Sequence, residues 1–158
     1  MPSSADAPAV NPQEVSVSRT IDATPEKLFG ILADPTLHPV IDGSGSVKAA
    51  RGKPERLALG SKFGMDMRLG LPYPITNTVV EFQENRLIAW RHVMGHRWRY
   101  RLTPTDDGAT VVTETFDWST ARSPRAIELM KYPTKHVPQM ERTLELLDAF
   151  VTNRADSL

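Results

Sequence analysis

Residues 14–23, EVSVSRTIDA, place Val15, Val17, Arg19 and Ile21 on one side and Ser16, Ser18, Thr20 and Asp22 on the other. A period of two is that of a half-buried β-strand. The period then changes. In TPEKLFGILADP, Leu28, Ile31 and Leu32 share a helical face, Thr24 is placed to cap, Pro25 suits the first turn, and Asp34-Pro35 ends the helix. TLHPVIDGSGSV is too rich in Pro, Gly and Ser for a regular element.

From about Val47 to Ser119 the pattern predicts strands separated by turns. SKFGMDMRLG sets Phe63, Met65, Met67 and Leu69 against Gly64, Asp66 and Arg68. ITNTVVEF, RLIAWRHV, HRWRYRLTP and, after TDDG, ATVVTETFDWS follow. Short strands in unbroken succession predict an antiparallel meander. ARSPRAIELMKYPTKHVP reads as a long connection with a turn or two of helix around Ile127 to Met130. PQMERTLELLDAFVTNR closes the chain as an amphipathic helix, with Met140, Leu144, Leu147 and Val151 as its apolar stripe, widened by Leu146 and Phe150. One long helix after a sheet needs a surface to cover, and a concave sheet face supplies it.

The stretch HRWRYRL has an arginine at every second position between rings and a leucine. Such interleaving suits a nucleic-acid groove as well as a strand. If Val93, Met94 and Gly95 form a three-residue hairpin loop with Gly95 left-handed, His92 meets His96, Trp90 meets Trp98 and Ile88 meets Tyr100. Arg97, Arg99 and Arg101 then share the opposite face with Thr113, Thr115 and Asp117, as ordinary outward dressing of a sheet. Val112, Glu114, Phe116 and Trp118 go with the tryptophans.

Composition sharpens this. The chain of 158 residues carries nineteen basic and nineteen acidic side chains, so no net charge draws it to a polyanion. Nucleic acid is therefore not expected as a partner. It has no cysteine, hence no disulfide frame or thiolate site. MPSSADAPAVNPQE lacks a basic start and an apolar run, so residues 1–13 read as a loose leader, without a signal peptide or membrane span, and a cytoplasmic protein is expected. One domain over 14–153 and a tail over 154–158 complete the expectation.

VSRTIDATPEKLFGILADP, NRLIAWRH, WRYRLTP and GATVVTETFDWS, in that order, resemble the START-like superfamily, also called SRPBCC, over roughly Glu14 to Thr152. This is the group of polyketide cyclases/dehydrases, lipid-transfer domains and the birch-pollen allergen. The likeness is strongest to its bacterial polyketide cyclase/dehydrase branch. It implies an α+β helix-grip fold: about six to seven curved antiparallel strands wrapped around the C-terminal helix, two short helices after the first strand, and a cavity between sheet and helix. Many relatives carry a tryptophan after the first helix where this chain has HPVIDGSGSV.

Such a cavity would be lined by Met65, Met67, Trp90, Trp98, Tyr100, Phe116 and Trp118 and closed by Leu144 and Leu147, a set that suits a flat apolar guest or simply fills a core. Glu114 points inward among them, and a buried carboxyl must be paired or hold its proton. It is a candidate general acid or base, alongside His92 and His96 at the rim. His38, Asp42, Tyr132 and His136 are candidates for the mouth. No metal spacing, GxSxG or phosphate loop is present, so neither metal nor cofactor is expected. Three functions stay open: binding of a lipid or polyketide-like small molecule, a cyclase/dehydratase acting through an acid–base residue, and an interaction or regulatory module without a ligand. A monomer or weak homodimer is expected.

Overall fold

The computed structural model describes residues 12–52 and 55–156. Most of the expected leader, residues 1–11, lies outside them, as do residues 157–158. Seven antiparallel strands form one sheet: β1 (Glu14–Ile21), β2 (Val47–Arg51), β3 (Lys62–Leu69), β4 (Leu71–Gln83), β5 (Leu87–Arg91), β6 (Arg97–Pro104) and β7 (Thr110–Asp117). Their order across the sheet is β1-β7-β6-β5-β4-β3-β2, so the meander closes on β1 through β7. The helices are α1 (Pro25–Leu32), α2 (His38–Ile41), α3 (Pro124–Leu129) and α4 (Tyr132–Asp156), with a 3-10 turn at Pro35–Leu37 before α2.

The expected β5–β6 register is present, Trp90 pairing with Trp98 and Ile88 with Tyr100. On β7, whose inner face alone was expected, Phe116 pairs with Trp98 and Glu114 with Tyr100. Gly95 closes the β5–β6 hairpin at φ +97°, and His92 N–H donates to the His96 carbonyl at 2.9 Å. A register shift between Val79 and Glu81 lets Val79 and Phe82 both turn inward, opposite Trp90 and Ile88, while Glu81 turns outward. Plain alternation holds through Ile75, Asn77 and Val79 and fails only after Val79.

Three features differ from the sequence expectation. First, α4 begins at Tyr132, not near Pro138, and includes that proline. Only one intrahelical donor is lost there, near an end whose first amides are unbonded in any helix. The same helix runs to Asp156, into the segment expected as a tail. Second, β4 starts at Leu71 and takes in Pro72 and Pro74, because its pairing with β5 begins only at Thr78 and that edge needs no donors. Third, Leu69 keeps phase with Phe63, Met65 and Met67 yet is 72% exposed, because this hairpin projects past the sheet.

The core lies between the concave face and α4. Leu144, Leu147 and Val151 are buried at helical spacing against Ile21, Trp90, Tyr100 and Val112 from the sheet and Leu28 and Leu32 from α1, while Met140, one turn earlier, packs with Phe116 and Trp118. Arg19, on the inner phase of β1, reaches Asp148 of α4 at 2.8 Å and ties the helix to the sheet edge.

Candidate functional site

Successive inward rungs of the sheet build the site. Trp90 and Trp98 form one rung with Phe116; Ile88, Tyr100 and Glu114 form the next. Glu114 is buried, and its Oε1 accepts the Tyr100 hydroxyl proton at 3.0 Å. Its Oε2 is buried with no hydrogen-bond partner among the described residues. Burial pushes this carboxyl up, the Tyr100 bond opposes, and the charge of Asp42 adds to the rise, so that its pKa goes from 4.5 to about 8. The Tyr100 phenol is held well above its usual range by burial and by the neighbouring Glu114 charge. At neutral pH the pair is therefore an uncharged acid next to an uncharged phenol. Such a group can give a hydrogen bond to a neutral oxygen, or exchange a proton near pH 7.

The other two acid–base candidates lie elsewhere. His92 and His96 stack with ring centroids 4.5 Å apart, flanking the hairpin as expected. His96 also meets Phe116 at 5.3 Å, and His136 meets Phe116 at 4.7 Å and Trp98 at 5.1 Å. His96 is four residues from Tyr100 along β6, roughly 13 Å at strand rise, with the Trp98–Phe116 rung between. The catalytic candidates thus divide into a buried carboxyl–phenol pair and a rim of imidazoles. Burial, then the neighbouring His92 and His136, lowers His96 to about 3, and burial lowers His92 and His136, so the rim is uncharged at neutral pH. Among the described residues no group of three or more His, Cys, Asp or Glu is arranged to hold a metal ion.

The mouth candidates are corrected in part. His38 is not at a mouth: it is buried, stacked on Trp90 at 4.8 Å and edge-on to Phe63 at 5.5 Å. Its Nε2 donates to the Leu32 carbonyl at 2.8 Å, and burial keeps the ring neutral. The segment expected to hold no regular element instead forms the 3-10 turn and α2, and His38, the first residue of α2, is turned into the core, which residue type alone did not reveal. Asp42 organises its own turn, accepting from Ser44 and, at 3.0 Å, from the Val47 amide. Tyr132 stacks on His136 at 5.7 Å at the start of α4.

Nearly all the expected lining residues face inward, but in two groups. Met65, Trp90, Tyr100, Leu144 and Leu147 belong to the main core, with Met67 packed against it. Phe116, Trp118 and Met140 form a second cluster, and Trp98 packs against both. Asn77 is a further inner-face residue, buried with its Oδ1 unpartnered and paired in register with Phe63. Its facing follows from the unbroken β3–β4 register, ahead of the bulge. A cleft of about 350 Å³ lies where β2 ends and β3 begins, with Leu57 and Phe63 among its walls and Arg51, Glu55 and Lys62 at hand. Phe63 leads from it to Trp90, 5.5 Å away.

The arginines are on the outer face, as expected, and a partner from β4 joins them. Arg99 is bidentate to Glu81 at 2.9 and 2.8 Å, meets Asp117 at 3.1 Å, and Arg97 meets Glu81 at 3.1 Å. Burial pushes Glu81 up, but Arg99 and Arg97 outweigh it; Asp117 is likewise lowered against burial, by Ser119 and then Arg99. Both carboxylates therefore add stability above their unfolded values of 4.5 and 3.8, and lose it as pH falls through the lower folded values. Because Arg99 is only 14% exposed, Arg99→Met should leave the buried Asp117 without its arginine and Glu81 with Arg97 alone, and cost about 2–3 kcal/mol at pH 7, checked by urea unfolding. Its cost should shrink in acid.

A curved antiparallel sheet gripping a C-terminal helix, with polar groups buried on the concave side, defines a helix-grip protein. The family model described as "Polyketide cyclase / dehydrase and lipid transport" matches residues 12–147, and the chain belongs to that family. It is 38% identical over 150 residues to uncharacterized protein Rv0088 of Mycobacterium tuberculosis, spanning 91% of this chain and 67% of that protein. Protein NE0264 from Nitrosomonas europaea superimposes with a TM-score of 0.72 at 16% identity, over 93% of this chain and 99% of its own. Protein Ms6760 from Mycobacterium smegmatis does so at 0.67 and 17%, over 90% and 92%. These structures share the fold. No helix among the described residues is long and apolar enough to cross a membrane.

Proposed function

We propose that the protein binds an apolar small molecule, of lipid or polyketide type, between the concave face and α4, and that Glu114 anchors a neutral oxygen of that guest. The observation that carries this reading is the Glu114 carboxyl, buried among apolar side chains with one oxygen bonded to Tyr100 and the other unpartnered. An orphan polar atom in a core costs about 1–3 kcal/mol, which an apolar residue would avoid. Met65 and Met67, flexible and polarisable, allow the face to reshape around a guest. The family description supports a ligand-binding use of the fold.

The reading is tested by extracting purified protein into organic solvent and identifying what co-purifies by mass spectrometry. An apolar molecule bearing a carbonyl or hydroxyl is expected, retained by Glu114→Gln and lost by Glu114→Leu. Equal retention by both variants, or no guest in protein prepared from several hosts, would sink it.

A second reading, cyclase or dehydratase chemistry, is favoured by one observation: Glu114 takes up and releases its proton near pH 8, within reach of neutral conditions. In that case Glu114→Gln keeps the guest and abolishes turnover. Turnover that survives the substitution removes Glu114 from the mechanism.

A further inference from the structure

The end of the sheet where α4 begins differs in surface chemistry from the rest. Strand direction places the β3–β4 hairpin, the start of β2, the β5–β6 hairpin and the α3–α4 junction at this end. Leu69 and Leu71 crown the first hairpin at 72% and 78% exposed, and Leu129 and Met130 crown the helix junction at 74% and 53%. Leucines this open on two separate prominences are not core residues that happen to show an edge; they project.

Charge at this end is lopsided although the whole chain is neutral. Lys48, Arg68, Arg122, Arg125 and Lys131 are exposed and make no ion pair among the described residues. The carboxylates nearby are mostly engaged: Asp66 by Arg51 at 2.6 Å, Glu14 and Asp117 by Arg99, and Asp42 by its own turn. Glu128 accepts from the Trp118 indole at 2.9 Å.

The hairpin's free edge indicates what kind of surface it meets. Between Leu71 and Asn77 β4 has no pairing with β5, and this edge would invite another strand. Pro72 and Pro74 remove two backbone donors there, which disfavours strand addition by a protein or a second copy. Fewer bare N–H groups also lower the cost of entering an apolar medium. Projecting leucines, unpaired cations and a donor-poor edge together match a lipid interface.

We propose that this end of the molecule docks on an anionic membrane surface, with Leu69 and Leu71 inserted among the lipids and Arg125 and Lys131 on the headgroups. The experiment is co-sedimentation of the full chain with phosphatidylcholine vesicles carrying about a third phosphatidylglycerol, against pure phosphatidylcholine. Binding to the anionic vesicles is expected, weakened by salt. L69D/L71D should lower it more than about tenfold, and R125Q and K131Q about fivefold each, all with unchanged melting curves because these side chains touch little. E114Q should bind vesicles like the unmodified chain, so this result stands or falls apart from the ligand reading. No binding to anionic vesicles, equal salt-independent binding to both, or full binding by L69D/L71D overturns the proposal. So does a dimer, seen by light scattering, that L69D/L71D dissociates and that ignores vesicles.

Discussion

Glutamine in place of Glu114 is expected to raise the melting temperature at pH 8 by about 10 °C, and to leave it nearly unchanged at pH 4.5. The Glu114 carboxyl has a higher proton affinity in the folded state, about 8, than in the unfolded chain, 4.5. The folded protein therefore binds the extra proton, so the stabilisation is fully present below 4.5 and drains away as pH rises to about 8. Over that window the loss is roughly 3–5 kcal/mol, using about 1.4 kcal/mol for each tenfold in proton affinity. Glutamine keeps the shape, and its carbonyl oxygen can accept the Tyr100 hydroxyl in place of Oε1, at 3.0 Å in the native pair. It has no proton to lose. Thermal unfolding of both proteins from pH 4 to 9 checks this, and a gain of equal size at every pH would show that ionisation of Glu114 is not its source. A residue that weakens its own fold at neutral pH is a poor structural choice, which is why the ligand and proton-transfer readings centre on it.

Alternation carried much of the fold. Because side chains on a strand alternate with period two, one hairpin assignment at Gly95 was enough to place Trp90, Trp98, Tyr100 and Glu114 inward and the arginines outward, and the registers agree. What sequence did not show has local causes. The β4 bulge breaks the period after Val79, so alternation from Val79 would turn Glu81 inward, and it hides the main partner of Arg99. His38 stands in a segment without periodicity, where neither burial nor stacking on Trp90 leaves a trace in residue order. Pro138 argued for a late start to α4 because its cost depends on how many intrahelical bonds precede it, which a residue type alone does not state. The spread of the lining residues over two clusters follows from where α4 crosses the sheet, a tertiary fact.

Gly43→Ala is expected to destabilise the protein by about 3 kcal/mol, far more than Gly45→Ala at about 1. A Cβ on Gly43 would stand 2.2 Å from the Gln139 carbonyl oxygen and 2.6 Å from the Thr143 nitrogen, both backbone atoms of α4. Neither can withdraw without opening a helical turn, so the loop must lift instead. Lifting breaks the bond from the Gly43 amide to Thr143 Oγ1, 2.9 Å in the native contact. Gly45 meets nothing within 4 Å, and its φ of +70° leaves only backbone strain against alanine. The consequence reaches the site. Asp42 precedes Gly43 and its charge helps to hold Glu114 high, so a lifted loop withdraws that charge and lets water approach the carboxyl. In Gly43→Ala the Glu114 proton affinity should fall from about 8 toward the ordinary range, read from the side-chain carboxyl carbon shift by NMR across the titration. Stability should then be lower at every pH but less steeply dependent on it above pH 5, whereas Glu114→Gln removes the slope and raises the curve. A Gly43→Ala protein that melts like Gly45→Ala and titrates like the unmodified chain would mean that this loop does not govern the buried carboxyl.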